Sequence, residues 1–318
     1  MSEPGLGGPR DPMLGPRYMG IPTFMRTPPI GDPSEFDIAL VGIPYDGAVT
    51  NRPGARHGPR GVRDASSMMR AIHPATRLNP YDLRRVGDGG DVPFGRLYDI
   101  ESAHEEIERF ISGFKRADVL TLAIGGDHSV TLPVLRALAS DRPVGLIHID
   151  AHTDTWDEFM GSRFSHGAPF RRAVEEGLIE PARTIQIGIR GAQNSTEGWD
   201  YSVSSGMRVV FMDEVTRAGV EAVAREALRI AAAGPTYLSF DIDSLDPAFA
   251  PGTGTPEVGG LTSVQALTLL RALRGVRLMG ADVVEVAPPF DPSGGTCLVA
   301  ATVAYELLCL LAESAAQR

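Results

Sequence analysis

The chain has 318 residues, 43% hydrophobic and 22% charged, enough to build the core of one large domain or two ordinary ones. Its formal net charge of −10 argues against a general nucleic-acid binder, which needs a basic stripe, and leaves a cationic substrate open. Cys297 and Cys309, the two cysteines, permit at most one bridge and read as reduced core thiols, so a reducing cytoplasm is expected.

Residues 1–34 come first in chain order. The stretch "MSEPGLGGPRDPMLGPRYMG" has no basic region leading into an apolar run, so it does not read as a secretory signal. Its Gly and Pro content predicts an extended arm, either unstructured or laid on a neighbouring subunit. From 35 to 318 the chain reads as one α/β domain. Apolar β-branched runs predict strands over 37–43, 119–126, 144–150, 184–189, 207–212, 236–242 and 278–286, with a further short strand near 85–87. Helical patterns fall between most of them, over 101–115, 131–139, 220–233 and 263–273. This alternation implies a three-layer αβα domain around a parallel sheet of about eight strands. The run 297–316 is apolar enough to span a membrane, but Glu306 interrupts it and Glu313 closes it. A buried C-terminal helix, and no membrane partner, is the expectation.

Ligands of open parallel sheets bind beyond the carboxyl ends of the strands. Four polar clusters fall there: "LAIGGDHS" ending at His128 and Ser129, "LIHIDAHTD" with Asp150, His152 and Asp154, "LSFDIDSLDP" with Asp241 and Asp243, and "ADVVEVAPP" with Glu285. Taken singly, Asp127 and Asp246 read as turn formers or helix N-caps. His148 points away from its apolar neighbours and reads as structural. His57 reads as a turn residue, and His73 and His104 as surface residues.

The group resists so plain a reading. Residues at i, i+2 and i+4 of an extended segment share a face, so Asp150, His152 and Asp154 converge, as do Asp241 and Asp243. Two unit charges about 4 Å apart repel by roughly 4 kcal/mol at an effective dielectric of 20. Four gathered carboxylates therefore need counter-charge, and bound divalent cations supply it. Four Asp and two His exceed the ligands of one tetrahedral zinc site, so two cations fit better than one. Oxygen-rich sites with some imidazole suit Mn²⁺, with Ni²⁺ or Co²⁺ as alternatives. A metal pair sharing a water makes a hydrolytic centre.

"GGDHS" (125–129), "DAHTD" (150–154), "SHG" (165–167) and "SFDIDSLDPAFAPGTGTP" (239–256) together resemble the arginase/agmatinase family of ureohydrolases. The likeness runs from "IPYDG" (43–47) and "RPGARHGPR" (52–60) to "VVEVAPPFD" (283–291). It implies a dinuclear manganese enzyme that attacks a guanidino carbon and releases urea. By motif, His128, Asp150, Asp154 and Asp241 would hold one ion, and Asp150, His152, Asp241 and Asp243 the other. Asp154 would also orient the shared hydroxide, His166 would help protonate the departing amine, and Glu285 would pair with the substrate guanidinium. The family is usually oligomeric, so a homo-oligomer, trimer or hexamer, is expected.

Trp156 stands where arginases carry an Asn that receives the amino-acid end of arginine. The expected substrate is therefore another small guanidino compound. The segments 20–26, 50–60 and 166–173 look most like guanidinobutyrase and guanidinopropionase relatives, which points to an ω-guanidino acid. Asn51 and Arg163 are candidate partners for its carboxylate. The loop 155–165, with Trp156 and Met160, is the expected specificity wall. Asp157 and Glu158 keep agmatine, or an unusual guanidine or biguanide, open. A non-catalytic partner subunit and a zinc deacetylase of related fold are the readings from other classes.

Overall fold

The computed structural model describes residues 15–315 and, before them, residues 8, 9, 11 and 13. Eight strands form its sheet: β1 (Ile38–Gly42), β2 (Val86–Asp91), β3 (Leu120–Ile124), β4 (Val144–Ile149), β5 (Ile179–Ile189), β6 (Arg208–Phe211), β7 (Thr236–Asp241) and β8 (Leu278–Val284). Every pairing is parallel, in the order β2-β1-β3-β8-β7-β4-β5-β6. The central strands read largely as apolar runs because both faces are covered. Ile38, Leu40, Leu122, Ile147, Ile149 and Leu238 pack into one core layer with the C-terminal helix Gly295–Ala315. Ala39, Val41, Ala123, Leu146 and Tyr237 point the other way, against Ile107 and Ile111 of the helix Ile100–Arg116.

This order makes β3, β8, β7 and β4 consecutive neighbours. They are the four strands that end in the polar clusters, so one edge of the sheet gathers all four.

Several expectations change. The strand at 184–189 begins earlier, at Ile179, because its first half is a partly exposed stretch containing Glu180, Pro181 and Arg183 rather than a buried run. The arm is part of the domain from Phe24 onward. Phe24 and Met25 are buried, and their N–H groups donate to Asp88 Oδ2 and Ser66 Oγ, each at 2.7 Å. Farther along, Asp88 N–H donates to Pro28 O and Ile30 N–H to Asp88 O, both at 2.8 Å, so the segment lies along edge strand β2. The C-terminal helix has 78% of its most apolar stretch buried, and Glu306 within it is met by Arg271 at 2.6 Å and His73 at 2.9 Å.

Neither His73 nor His104 is a surface residue. His73 accepts from Thr76 N–H through Nδ1 and turns Nε2 to Glu306. His104 is 1% exposed, neither ring nitrogen has a hydrogen-bond partner, and the ring lies edge-on to Tyr45 and Phe164. Burial, helped by the Arg136 charge, pushes its pKa down from 6.5 to about 3. The folded state thus holds His104 neutral, which favours folding above pH 6.5 and loses that advantage as pH falls toward 3. His104→Phe keeps the packing without the titration. The stability of the wild type relative to this variant should fall by about 1.4 kcal/mol per pH unit below about pH 6. Denaturant titrations at stepped pH check this, and parallel curves would refute it.

Candidate functional site

His128 follows β3 in a short turn, His128–Val130, whose N-cap Asp127 accepts from Ser129 N–H at 3.0 Å. Three carboxylate oxygens surround its Nδ1: Asp150 Oδ2 at 3.1 Å, Asp154 Oδ2 at 2.9 Å and Asp241 Oδ2 at 3.1 Å. Nδ1 is nonetheless buried without a hydrogen-bond partner. The other nitrogen explains why. Ser239 Oγ donates to Asp282 Oδ1 at 2.6 Å, so it accepts from His128 Nε2–H at 2.9 Å. Asp282 also accepts from Tyr237 Oη at 2.8 Å and Thr131 Oγ1 at 2.6 Å. The proton is held at Nε2, and the Nδ1 lone pair faces three anionic oxygens.

A second relay orients Asp150. Gln186 Nε2 donates to Thr153 O at 2.6 Å, which fixes the amide, and also to His148 Nδ1 at 3.1 Å. His148 Nε2–H therefore donates to Asp150 Oδ2 at 2.7 Å. This makes His148 a support for a carboxylate rather than one of the converging donors.

The second half of the cluster is built on Asp150, His152 and Asp243. His152 Nδ1 lies 3.2 Å from Asp243 Oδ2 and 3.5 Å from Asp150 Oδ1, while its Nε2 is 3.6 Å from Glu257 Oε1. The convergence is real but its geometry differs from the extended segment expected. β4 stops at Ile149, and Asp154 reaches the cluster through a left-handed backbone at φ 50°. Asp241 likewise ends β7 and caps the turn Ile242–Ser244, accepting from Asp243 N–H at 2.8 Å. Left-handed non-glycine residues cost roughly 1–3 kcal/mol and collect at functional sites, and Glu285 is another, at φ 62°.

Burial and the repulsion of Asp243 and Asp150 push the Asp241 carboxyl well above the usual range. Asp243 shifts the same way, through burial and Asp150. Burial opposes a charge on His128 and His152, but the facing carboxylates outweigh it and raise both. Crowded anions, lone pairs aimed inward and two oriented imidazoles form a donor set that fits divalent cations. The candidate ligand atoms of Asp150, His152 and Asp243 lie within 4.8 Å of one another, as do those of His128, His148, Asp150 and Asp154, where His148 donates to Asp150.

The cluster floors a cavity of about 510 Å³ whose walls include Thr50, Asn51, Arg52, Trp156, His166 and Glu285. Glu285 Oε1 accepts from His128 N–H at 2.9 Å and from His166 Nδ1 at 2.8 Å, while Oε2 has no partner. His166 Nε2 lies 3.1 Å from Thr50 N and 2.8 Å from Thr50 Oγ1, so in the neutral ring Nε2 accepts and Nδ1 donates to Glu285. Gly254 borders this free oxygen: a Cβ there would sit 3.0 Å from Arg52 O and 3.7 Å from Glu285 Oε2.

Two expected wall residues are elsewhere. Met160 is 92% exposed, because Met160 and Gly161 form a two-residue turn with positive φ (49° and 85°) between the paired Phe159 and Ser162. It borders a separate hollow of about 400 Å³ with Tyr45 and Phe164. Arg163 bonds Glu175 at 2.6 Å and does not line the cavity, whereas Arg52 does. Thr50, Arg52, Gln193 and Glu257 on the wall, and Gln186, Ser239 and Asp282 behind the cluster, were not singled out from the sequence. For the last three the available signal was a polar residue inside an otherwise apolar strand.

The Arginase family model matches residues 36–310. The chain belongs to this family. It is 56% identical to guanidinopropionase of Pseudomonas aeruginosa over 303 residues, covering 95% of each chain. Guanidinobutyrase of the same organism is 43% identical over 303 residues, covering 93% of this chain and 94% of its own. Among solved structures, proclavaminate amidino hydrolase from Streptomyces clavuligerus superposes with a TM-score of 0.89 at 41% identity, over 94% of this chain and 100% of its own.

The Asp282 relay is open to test in this arginase-family chain. In Asp282→Asn an amide faces Ser239, so the hydroxyl can turn its proton toward His128 Nε2, which moves the ring proton to Nδ1 and removes the lone pair that faces the carboxylates. Ser239→Ala removes the same contact and keeps the carboxylate. Both should weaken Mn²⁺ binding about 10–100-fold in an equilibrium titration. Unchanged affinity in both would refute the relay.

Proposed function

We propose that this chain hydrolyses an ω-guanidino acid, 3-guanidinopropionate or 4-guanidinobutyrate, to urea and the corresponding ω-amino acid. The observation that carries the reading is the unpartnered, buried Oε2 of Glu285 beside the carboxylate and imidazole cluster. A carboxylate oxygen in that position is matched to a planar guanidinium. His128, Asp150, Asp154 and Asp241 would hold one divalent cation, and Asp150, His152, Asp241 and Asp243 a second, with Mn²⁺ as the expected metal. When bound, the pair supplies Lewis acidity and a water whose pKa is lowered toward about 7.

The chain's own groups do the rest. Glu285, held by His128 N–H and His166, positions the guanidinium so that its carbon faces the cluster. Cleavage of the bond between that carbon and the tail nitrogen requires a proton on the departing amine. Burial opposes charging His166, but Glu285, Asp127 and Asp154 outweigh it and raise its pKa to about 9. The ring therefore takes up a proton at neutral pH and is placed to deliver it to the leaving nitrogen.

The guanidinopropionase and guanidinobutyrase relatives support the acid tail. Asp157, which kept agmatine open, is occupied by arginines outside the cavity. Agmatine is the second choice, because Glu257 still faces the cavity beside His152. A non-catalytic subunit is disfavoured, since it would have no need of the full cluster with His166 and Glu285.

The test is urea release by Mn²⁺-loaded protein from 3-guanidinopropionate, 4-guanidinobutyrate, agmatine and arginine at matched concentrations. A guanidino acid should lead, arginine should be poor, and Asp150→Ala should abolish turnover. His166→Asn should lower kcat by about 10²–10⁴-fold while the metal content stays unchanged. Preference for agmatine would overturn the tail assignment, and silence on all four would overturn the reaction. Native mass spectrometry of the loaded protein reads metal count and assembly together, with two ions per chain and a homo-oligomer expected.

A further inference from the structure

The loop 155–165 departs from the main domain and returns to it at the cavity. Its base is closed by Trp156 N–H to Gly167 O at 2.9 Å, and its tip by the Phe159–Ser162 pair at 2.9 and 3.0 Å. The Trp156 indole lines the cavity and lies against two glycines. A Cβ on Gly167 or on Gly198 would each approach it to 3.1 Å. Between base and tip the loop carries Asp157, Glu158 and Arg163, which by sequence look like groups for a substrate. The structure turns Asp157 and Arg163 outward, onto the helix Pro169–Glu175.

Asp157 Oδ1 accepts from Arg172 Nη2 at 2.8 Å, and its Oδ2 lies 3.1 Å from Arg171 Nη2. Arg172 is 2% exposed and also bonds Glu175 at 3.0 Å. Arg171 bonds Glu197 of the helix Glu197–Ser205 at 2.9 Å and stacks over Tyr201. That helix also supplies Gly198, whose carbonyl accepts from Thr155 Oγ1 at 2.7 Å. Asp157 is thus shared by Arg171 and Arg172, with Arg163 Nε a further 4.0 Å from Oδ1, and through Arg171 it reaches the helix whose Gly198 the indole rests against.

We propose that Asp157 is a positioning residue: with Arg171 and Arg172 it clamps the loop so that Trp156 stays against the cavity and sets the wall along which the substrate tail lies. The proposal rests on the ureohydrolase reading for its kinetic consequence, but not for its structural one. Losing the clamp should weaken binding of ground state and transition state alike, because the reacting atoms are held elsewhere, by Glu285 and the cluster. That is the pattern in which KM rises and kcat holds.

The chain has two tryptophans, so Trp199→Phe leaves Trp156 as the sole reporter. In that background, Asp157→Asn should red-shift the emission and raise acrylamide quenching about two-fold or more as the indole leaves its shelf. For the guanidino acid that turns over best, KM should rise about five-fold or more with kcat within about two-fold of the parent. Asp157→Glu, which keeps the charge, should restore much of both. Because Asp157 is partly exposed, about 0.5 M salt should raise KM in the parent and leave the Asn variant nearly unmoved.

Arg171→Gln gives an independent variant. Coupling between the two substitutions, with the double change no worse than the stronger single one, supports a shared clamp, and additive effects oppose it. Unchanged quenching and KM in Asp157→Asn would overturn the proposal. If the Trp199→Phe parent releases no urea from any guanidine, the functional reading fails, and the quenching arm alone judges the clamp.

Discussion

Everything at this site follows from one electrostatic constraint. A histidine nitrogen faces three carboxylate oxygens at 2.9–3.1 Å in a buried place, where like charges crowd and water does not screen them. Such an arrangement persists only if the surrounding fold holds each member separately. Here every anchor is a strand end or the turn that follows it. β3 supplies the turn bearing His128, β4 the segment bearing Asp150 and Asp154, and β7 the turn bearing Asp241 and Asp243. β8 contributes twice, with Asp282 behind the cluster and Glu285 just past its end. The sheet order, with these strands side by side, is therefore a requirement of the chemistry as much as of the core.

The support also has a direction. The groups that position the cluster lie deep in the sheet: His148, Gln186, Ser239, Tyr237 and Asp282 are all buried. The cavity's other wall is made of loops, 50–52 and the flap carrying Trp156. The polar cluster is thus held by strands, and the loop wall of the cavity by ion pairs near the surface. A shared fold can then accommodate relatives named for different guanidino acids, since the wall changes without disturbing the floor.

Strand positions and converging residues were legible because both rest on short-range pattern: apolar runs of strand length, and Asp and His placed where those runs stop. The parallel sheet and the family likeness followed from them. The rest needed long-range information. Asp282 and Gln186 acquire meaning only when β8 and β5 lie beside their partners, because their hydrogen bonds span distant parts of the sequence. His104 gave no sign that it would sit between Tyr45 and Phe164, nor His73 that it would meet Glu306. The placement of Arg163 and Met160 away from the cavity was hidden for a related reason. Sequence shows that a loop carries charge or bulk, but the direction in which a side chain leaves the loop is set by φ and by competing partners.

The two borders of the sheet carry a separate consequence. Beside β2 lies the chain's own segment 28–30, which occupies both backbone groups of Asp88. At the opposite border β6 is four residues long, Arg208–Phe211, and is followed directly by the helix Met212–Ala218. One border is capped and the other is too short to template an additional strand. The sheet is finite by construction, so any contact with another chain would leave the strand register that gathers the buried carboxylates undisturbed.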